Sequence, residues 1–381
     1  MYDVLIAGAG LAGLQAAHLL GTRGLRVALI DRKASLADGI HTTGIFVRKT
    51  WEDFALPVEQ LGRPIRDVVL YSPARRAMRL TAGRDEFRVG RMGWIYLAML
   101  EQCSRAGVVW IPGTRILGTK PSSTSTSVTI ERDGRREEIA ARYVIGADGP
   151  RSLIARDLGL DRNREFLVGV EDIVAAHDDT PALHCYLDPR LAPGYIAWVV
   201  NDGVEAHIGV AGYRHLFDPA SSLTTFRASL PQYKDSRLIE RRGGLIPVNG
   251  ILGRIANRNG LLVGDAAGAV SPLTAGGLDA AMRLSSFAAD VVAEYLDLGH
   301  ERVLREYDGS RFRARFVTRR FMRRAIRVAS HPLAMELGCA LLRTPPLRAL
   351  VSHIFFARGS FPDVGLPLTA NRSLSSALPR L

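Results

Sequence analysis

The sequence predicts an α/β fold in which a Rossmann-type domain is interleaved with an antiparallel-sheet domain and followed by a helical C-terminal tail. Three observations predict it. Residues 2–31 read as strand, helix, strand, with "GAGLAG" (8–13) in the first turn. Two later apolar strands, 142–147 and 260–264, each run into a turn that carries an aspartate, Asp148 and Asp265. From 164 to about 250 the pattern is mostly that of alternating strands, and beyond 276 helices dominate.

At 381 residues the chain exceeds the usual size of one core, so two intertwined domains are expected. Cys103, Cys185 and Cys339 are odd in number and far apart, so neither a disulfide framework nor a metal site is expected and a reducing cytoplasm is. A strand beginning at residue 2 leaves no room for a leader segment, and no apolar run is long enough to cross a bilayer. The charge is uneven. Of the net +12, residues 311–381 carry thirteen arginines against Glu336 and Asp363, so the first 310 residues are almost neutral.

Taken in order, "YDVLIA" (2–7) is a buried strand, 11–23 a helix and "RVALID" (26–31) a second strand. Residues 34–90 lack helical periodicity, while "RDVVLYS" and "RRAMRL" read as strands. A helix follows over 92–106, then strand in "GVVWIPGTRI". "PSSTSTS" (121–127) reads as a surface loop, and Asp133-Gly134 as a hairpin turn. One helix near 220–231 interrupts the alternating region, and prolines 332, 345 and 346 divide the terminal helices. The domains expected are a discontinuous nucleotide-binding domain (1–72, 92–160, 255–300), a substrate domain (73–91, 161–254) and a basic helical region (301–381).

Each glycine of the first turn has a physical use. Gly8 permits the tight turn, Gly10 lets a pyrophosphate approach the backbone, and Gly13, beside Ala12, permits close packing of helix on strand. The helix N-terminus offers free N–H groups to phosphate. Asp31, eighteen residues past Gly13, ends the second strand where ribose hydroxyls would lie, with Arg32 beside it. These features point to a bound dinucleotide, but do not separate NAD from FAD.

"GAGLAG…D", "GADGPRS" (146–152) and "GDAAGAVSPLTAGG" (264–277) together resemble the FAD-dependent superfamily of p-hydroxybenzoate hydroxylase, and within it the geranylgeranyl reductase family. The resemblance covers roughly residues 2–300. Gly268 stands where the hydroxylases usually carry histidine, as it does in prenyl reductases. The resemblance implies that Asp265 meets the ribityl chain and that Gly276, Gly277 and Leu278 present N–H groups to the N1/O2 edge of the flavin ring. A helix N-terminus there stabilises reduced flavin, an anion at N1. It also implies cofactor contacts for Asp148, Gly44, Arg91 and the backbone of Ile116, and substrate contacts for Tyr195 and Trp198. No catalytic residue declares itself, and His41 reads as a structural histidine.

The chain departs from the family at three places. Thr42, Thr43 and Gly44 replace a cysteine–glycine run, Gly276 replaces a glutamate, and "PGYIAWVVNDG" meets the aromatic substrate motif only at Trp198. The function expected is reduction of a C=C bond in a prenyl or other lipid-like substrate, with NAD(P)H or a ferredoxin-like protein as external donor. The alternatives are a monooxygenase or halogenase in which reduced flavin meets oxygen at C4a, a lycopene-cyclase-like enzyme without net redox change, and an electron relay. In the tail, 310–328, Val317, Phe321 and Ala325 belong to a narrow apolar stripe among eight arginines. Two readings stand open for it: a helix lying on anionic headgroups at the inner face of a membrane, or one packed on the body with a solvated basic face. No nucleic-acid partner is expected.

Overall fold

Val4 to Ala7 are apolar and unexposed on both sides, the mark of a strand covered by helices on each face. In the computed structural model, which describes residues 1–177, 181–328 and 330–356, the strand Tyr2–Ala7 lies inside an eight-stranded sheet. Its parallel neighbours are Val27–Ile30 and Arg135–Gly146, flanked in turn by Val109–Ile111 and Gly260–Leu262. A meander of Arg115–Pro121, Thr126–Arg132 and Arg135–Gly146 extends the same sheet. Helix Leu11–Thr22 packs between the sheet and helix Leu278–Leu298, where Gln15 donates to Ser286 across the helix pair.

The register has one consequence for everything that follows. Ala7 lies opposite both Ile30 and Gly146, and Gly146 opposite Leu262. Four segments therefore leave the sheet from one row at its carboxyl edge, the position where open parallel sheets bind ligands.

The second sheet has seven strands in the order Leu238–Pro247, Phe166–Ala175, Glu205–Gly212, Ala197–Asn201, Ala182–Tyr186, Asp67–Tyr71, Ala77–Thr81. All pairs are antiparallel except Ala182–Tyr186 with Asp67–Tyr71. Helix Pro219–Ala228 begins at Pro219 behind Asp218, whose carboxylate caps Ser221 N–H. Its Leu223 and Phe226 bury Ala206, Ile208 and Val210 on one face of the sheet.

Three expectations need correction. The boundary at residue 72 assigned Asp67–Tyr71 to the first domain, but this strand lies in the second sheet, because its alternate residues Val68 and Leu70 join that sheet's apolar cluster. Phe87–Val89 pairs with Ile45–Val47 in a separate ribbon. Within 34–90 a short helix, Arg48–Asp53, forms and is held by i,i+4 pairs of Arg48 with Glu52 and Lys49 with Asp53.

The tail forms helices Ser310–Val328, Pro332–Leu341 and Pro345–Phe356, and residues 357–381 of the expected basic region lie outside the described residues. The stripe through Val317 and Phe321 is not the packed face: these residues are 50% and 64% exposed. Phe316 and Arg323 point inward instead. Phe316 fills the space left by Gly250 beside Pro272, and Arg313 donates to the carbonyl of Leu252. Helix Pro345–Phe356 runs beside the edge strand Ala77–Thr81, with Arg343 and Arg348 donating to the carbonyls of Ala77 and Arg79. Among the described residues no helix is long and apolar enough to cross a membrane.

Two glycines of the first turn separate packing from ligand access. A Cβ on Gly13 would sit inside the van der Waals shell of the Gly8 carbonyl, whereas one on Gly10 would meet nothing within 4 Å. Gly13→Ala should therefore cost about 2 kcal/mol in denaturant unfolding of the cofactor-free protein, and Gly10→Ala no more than about 0.5 kcal/mol.

Candidate active site

Four turns at the carboxyl edge of the first sheet assemble the site. Gly8 takes φ +102°, and helix Leu11–Thr22 starts at Gly10 with no side-chain cap, so its first N–H groups face open space. Asp31 does not stand free. Its carboxylate accepts from Ala9 N–H at 2.7 Å and Lys33 N–H at 2.9 Å, which fixes the two turns to each other. Each oxygen retains a lone pair for a hydroxyl. Arg32 is exposed.

Asp148 follows the strand Arg135–Gly146. Its Oδ2 accepts from Leu153 and Ile154 N–H at 2.7 and 3.1 Å, while its buried Oδ1 has no partner among the described residues. Burial raises its carboxyl above the usual range despite the hydrogen bonds it accepts from Ser152, Ile154 and Leu153. Asp265 follows Gly260–Leu262 in the short helical turn Gly264–Ala267. Among the described residues no hydrogen bond reaches its carboxylate, and desolvation alone pushes it up to about 6. A carboxylate enclosed with no donor suits a polyol hydroxyl.

The segment from Val270 to Gly277 then returns past Asp265. A Cβ on Gly277 would lie 3.1 Å from Val270 and 3.6 Å from Asp265 Oδ1, so helix Leu278–Leu298 opens against this carboxylate with no bulk at its N-cap. Gly276 is exposed and bonds back through its carbonyl to Ser271 N–H, and Ala275 takes φ +49°. Behind this first turn, Arg283 is 3% exposed and ties Asp279 of the helix to Asp53 at 2.6 Å. Tyr195, expected at the substrate, spends its hydroxyl on the carbonyl of Thr274 at 2.7 Å and so holds the loop.

The inner face of the second sheet turns toward this loop, and its register sorts polar from apolar residues. Arg242, Glu171, Gly209, Trp198, Cys185 and Leu70 are opposite one another in succession across six strands. The adjacent row runs Ile173, His207, Val200, Leu183, Val68. The Trp198 ring lies over Gly209, where any side chain would collide with it, and its Nε1 is buried without an acceptor.

At the polar end, Glu171 and His207 are 3% and 2% exposed. Thr43 Oγ1 donates to Glu171 Oε2 at 2.6 Å, and Glu171 Oε1 faces His207 Nδ1 at 3.9 Å. Burial pushes the Glu171 carboxyl up, but His207, then Thr43 and Arg242, overcome it and hold the group below the usual range. The 41–44 loop is clamped to this sheet a second time by His41 Nδ1 against Gly243 O at 2.9 Å, a structural role as expected. Gly44 takes φ +82° and presses on Gly90 O and Met92, so its space is filled by protein.

The remaining expected residues are less gathered. Arg91 is exposed at the start of helix Met92–Arg105, and Ile116 is half-buried just before a bulge in its strand pair. Residues the sequence did not single out lie closer in. Tyr96, on the same helix as Arg91, lies in the field of Asp265, Arg242 and Asp31, and burial followed by Asp265 raises its hydroxyl far above the ordinary range. Glu171, His207 and Arg242 carried only an alternating-strand signal. Asp202, Glu205 and His207 come within mutual reach, yet Asp202 Oδ1 is engaged by Val204 and Glu205 N–H in its own turn.

These features fit an extended dinucleotide: open space at Gly10, an orphaned oxygen on Asp148, an unbonded Asp265 and a bare helix start at Gly277. The price of Asp265 is a measurable one. Its raised carboxyl means the folded, cofactor-free protein binds more protons than the unfolded chain between about pH 4 and pH 6. Asp265 therefore contributes a loss of stability as pH rises through that window and no slope above it. Relative to the parent, Asp265→Asn should remove that contribution and raise stability at pH 7 by about 3 kcal/mol, as read by urea unfolding without cofactor.

A family described as FAD dependent oxidoreductase matches residues 3–156. Digeranylgeranylglycerophospholipid reductase 1 of Methanococcoides burtonii is 26% identical over 338 residues, 83% of this chain and 80% of that protein. The digeranylgeranylglycerophospholipid reductase of Methanocaldococcus jannaschii is 25% identical, covering 81% of each. Among solved structures, a geranylgeranyl bacteriochlorophyll reductase-like protein from Thermoplasma acidophilum superposes with a TM-score of 0.83 at 20% identity, over 95% of this chain and 97% of that one. p-Nitrophenol 4-monooxygenase from Pseudomonas putida reaches 0.68 at 15% identity over 96% and 95%, a likeness of fold. The turn-bearing sheet edge, the unbonded Asp265 and these relatives agree: the chain is an FAD-dependent oxidoreductase similar to the geranylgeranyl reductases.

Proposed function

We propose that the protein reduces isolated C=C bonds of a prenyl lipid. The observation that carries this reading is the inner face of the second sheet. There Trp198, Val200, Leu183 and Cys185 form an apolar surface, covered in part by the Ile45–Val47 and Phe87–Val89 ribbon and by helix Pro345–Phe356, beside a polar cluster of buried Glu171 and His207 and half-buried Thr43. An alkene offers nothing to hydrogen-bond, so its site needs apolar contact, exclusion of water and a single proton source. The relatives named as reductases of a digeranylgeranylglycerophospholipid support the same substrate class.

FAD, when bound and reduced by an external donor such as NAD(P)H or a ferredoxin-like protein, supplies the hydride. Gly8, Gly10, Ala12 and Gly13 would hold its pyrophosphate, Asp31 its ribose, Asp148 and Asp265 its polar connecting chain, and the N–H groups of Gly276, Gly277 and Leu278 the N1 edge of its ring. Arg91 and the backbone of Ile116 remain assigned to the cofactor by family likeness. Trp198 orients the apolar chain, and Tyr195 positions the 271–276 loop through Thr274.

The proton comes from this chain. Thr43 Oγ1, next to Gly44 in the loop expected at the cofactor and donating to Glu171 Oε2, is the terminal donor. Behind it Glu171 Oε1 and His207 Nδ1 face each other at 3.9 Å, a gap that a side-chain shift or one water must close for a proton to pass. Thr43 thus stands where the family uses a thiol, with a buried carboxylate behind it.

Purified protein should be yellow, and Gly10→Ala should lose its FAD although it folds. Anaerobically reduced protein should be reoxidised by a polyprenyl substrate with formation of the saturated product. Oxygenated product formed only in air would overturn the reading, and turnover without any change in flavin absorbance would assign a cyclase. Glu171→Gln and His207→Gln should each lower the reductive rate about 100-fold with FAD content unchanged. A loss of less than about twofold in both would remove the relay.

A further inference from the structure

Helix Ser310–Val328 carries arginines at 320, 323, 324 and 327, a spacing of i, i+3, i+4 and i+7 that puts all four on one side. This side forms one wall of an open cleft of about 90 Å³ whose other walls are Tyr213, Val248 and Glu165. Arg323 is 4% exposed. Its Nε donates to Tyr213 Oη at 3.2 Å, its Nη1 to Pro272 O at 2.9 Å and its Nη2 to Gly194 O at 3.2 Å. All three acceptors are neutral, so its hydrogen bonds are satisfied while its charge is not. Among the described residues, Arg320, Arg324 and Arg327 form no ion pair with a carboxylate either, and Glu165 is the one acid on the cleft. Four cations against one acid on two helical turns repel one another, and a buried cation without a counter-charge is costly. An oxyanion seated in the cleft relieves both, and guanidinium donors on several sides match the oxygens of a phosphate group.

The position of the cleft says what the anion belongs to. The Pro272 carbonyl that Arg323 grips lies in the loop leading to Gly276 and Gly277, and the same guanidinium covers the ring of Tyr195, which holds Thr274 of that loop. We infer that the arginine side of helix Ser310–Val328 binds the phosphate headgroup of a phosphorylated prenyl substrate, beside the loop that leads to Gly276 and Gly277. This rests on the prenyl-reducing function proposed above for the choice of substrate, but the anion site can be tested without it.

The test uses the FAD-loaded full chain and the double variant Arg324→Gln/Arg327→Gln, whose two side chains are exposed and outside the cofactor and proton machinery. In calorimetry with inorganic pyrophosphate, the parent protein should bind and the variant should bind about tenfold more weakly or less. Absence of binding to the parent, or equal binding by both, overturns the site. In turnover, the variant's KM should rise about tenfold for geranylgeranyl diphosphate and stay within about twofold for geranylgeraniol, with kcat unchanged for both. An equal rise for both overturns the headgroup assignment. Co-sedimentation with phosphatidylcholine vesicles, with and without phosphatidylglycerol, should be the same for both proteins. Lost vesicle binding with an unchanged KM would give the cleft to membrane headgroups and overturn its role in substrate recognition. If pyrophosphate binds in an arginine-dependent way while no prenyl substrate is reduced, the anion site stands and the proposed function falls.

Discussion

The parallel register of four strands governs the active end of this molecule. Because Leu262, Gly146, Ala7 and Ile30 stand in one row, the turns beyond them are forced into a single crevice. The carboxylates of Asp31, Asp148 and Asp265 reach it from stretches of chain more than a hundred residues apart. Two helix starts, at Gly10 and Gly277, bring their uncapped N–H groups to the same crevice. A one-residue slip in any strand would carry its turn residues out of line and its apolar side chains to the wrong face. Gly8 and Gly13 protect the register by letting helix and strand approach more closely than any side chain allows.

The second constraint is the attachment of one sheet to the other. Loop 41–44 is bonded to the inner face of the seven-stranded sheet through His41 and Thr43, Tyr195 reaches the 271–276 loop through Thr274, and Arg323 fastens the tail helix to Pro272 of that loop and to Gly194. These bonds fix where the apolar surface and the Thr43–Glu171–His207 cluster lie relative to the cofactor crevice. The tail helix is therefore tied to the 271–276 loop. Its inward face is built from Phe316 and Arg323, and the apolar residues that would pack an ordinary amphipathic helix, Val317 and Phe321, face solvent.

The candidate cofactor turns were legible because their requirements are local. A glycine is needed where a turn is tight, an acid where a strand ends, small residues where a helix must open without bulk, and each leaves its mark within a few residues of sequence. Asp148 and Asp265 were recognisable as strand ends before anything was known of their surroundings. Only the fold showed that one keeps an orphaned oxygen and the other has no donor. The strand Asp67–Tyr71 was assigned to the wrong side of a boundary because alternation identifies a strand and not the sheet it joins.

The sequence by itself determined the order of strands and helices, the dinucleotide turn and the concentration of positive charge in the tail, since these follow from spacing along one chain. The partnership of Glu171 with His207 and Thr43, the seat of Trp198 on Gly209 and the burial of Arg323 were decided by tertiary structure. Each depends on cross-strand register or on which side of a helix meets the body. Pairing across strands leaves no periodic trace, so glutamate, histidine and arginine inside an alternating pattern look like solvated surface until the sheet closes over them.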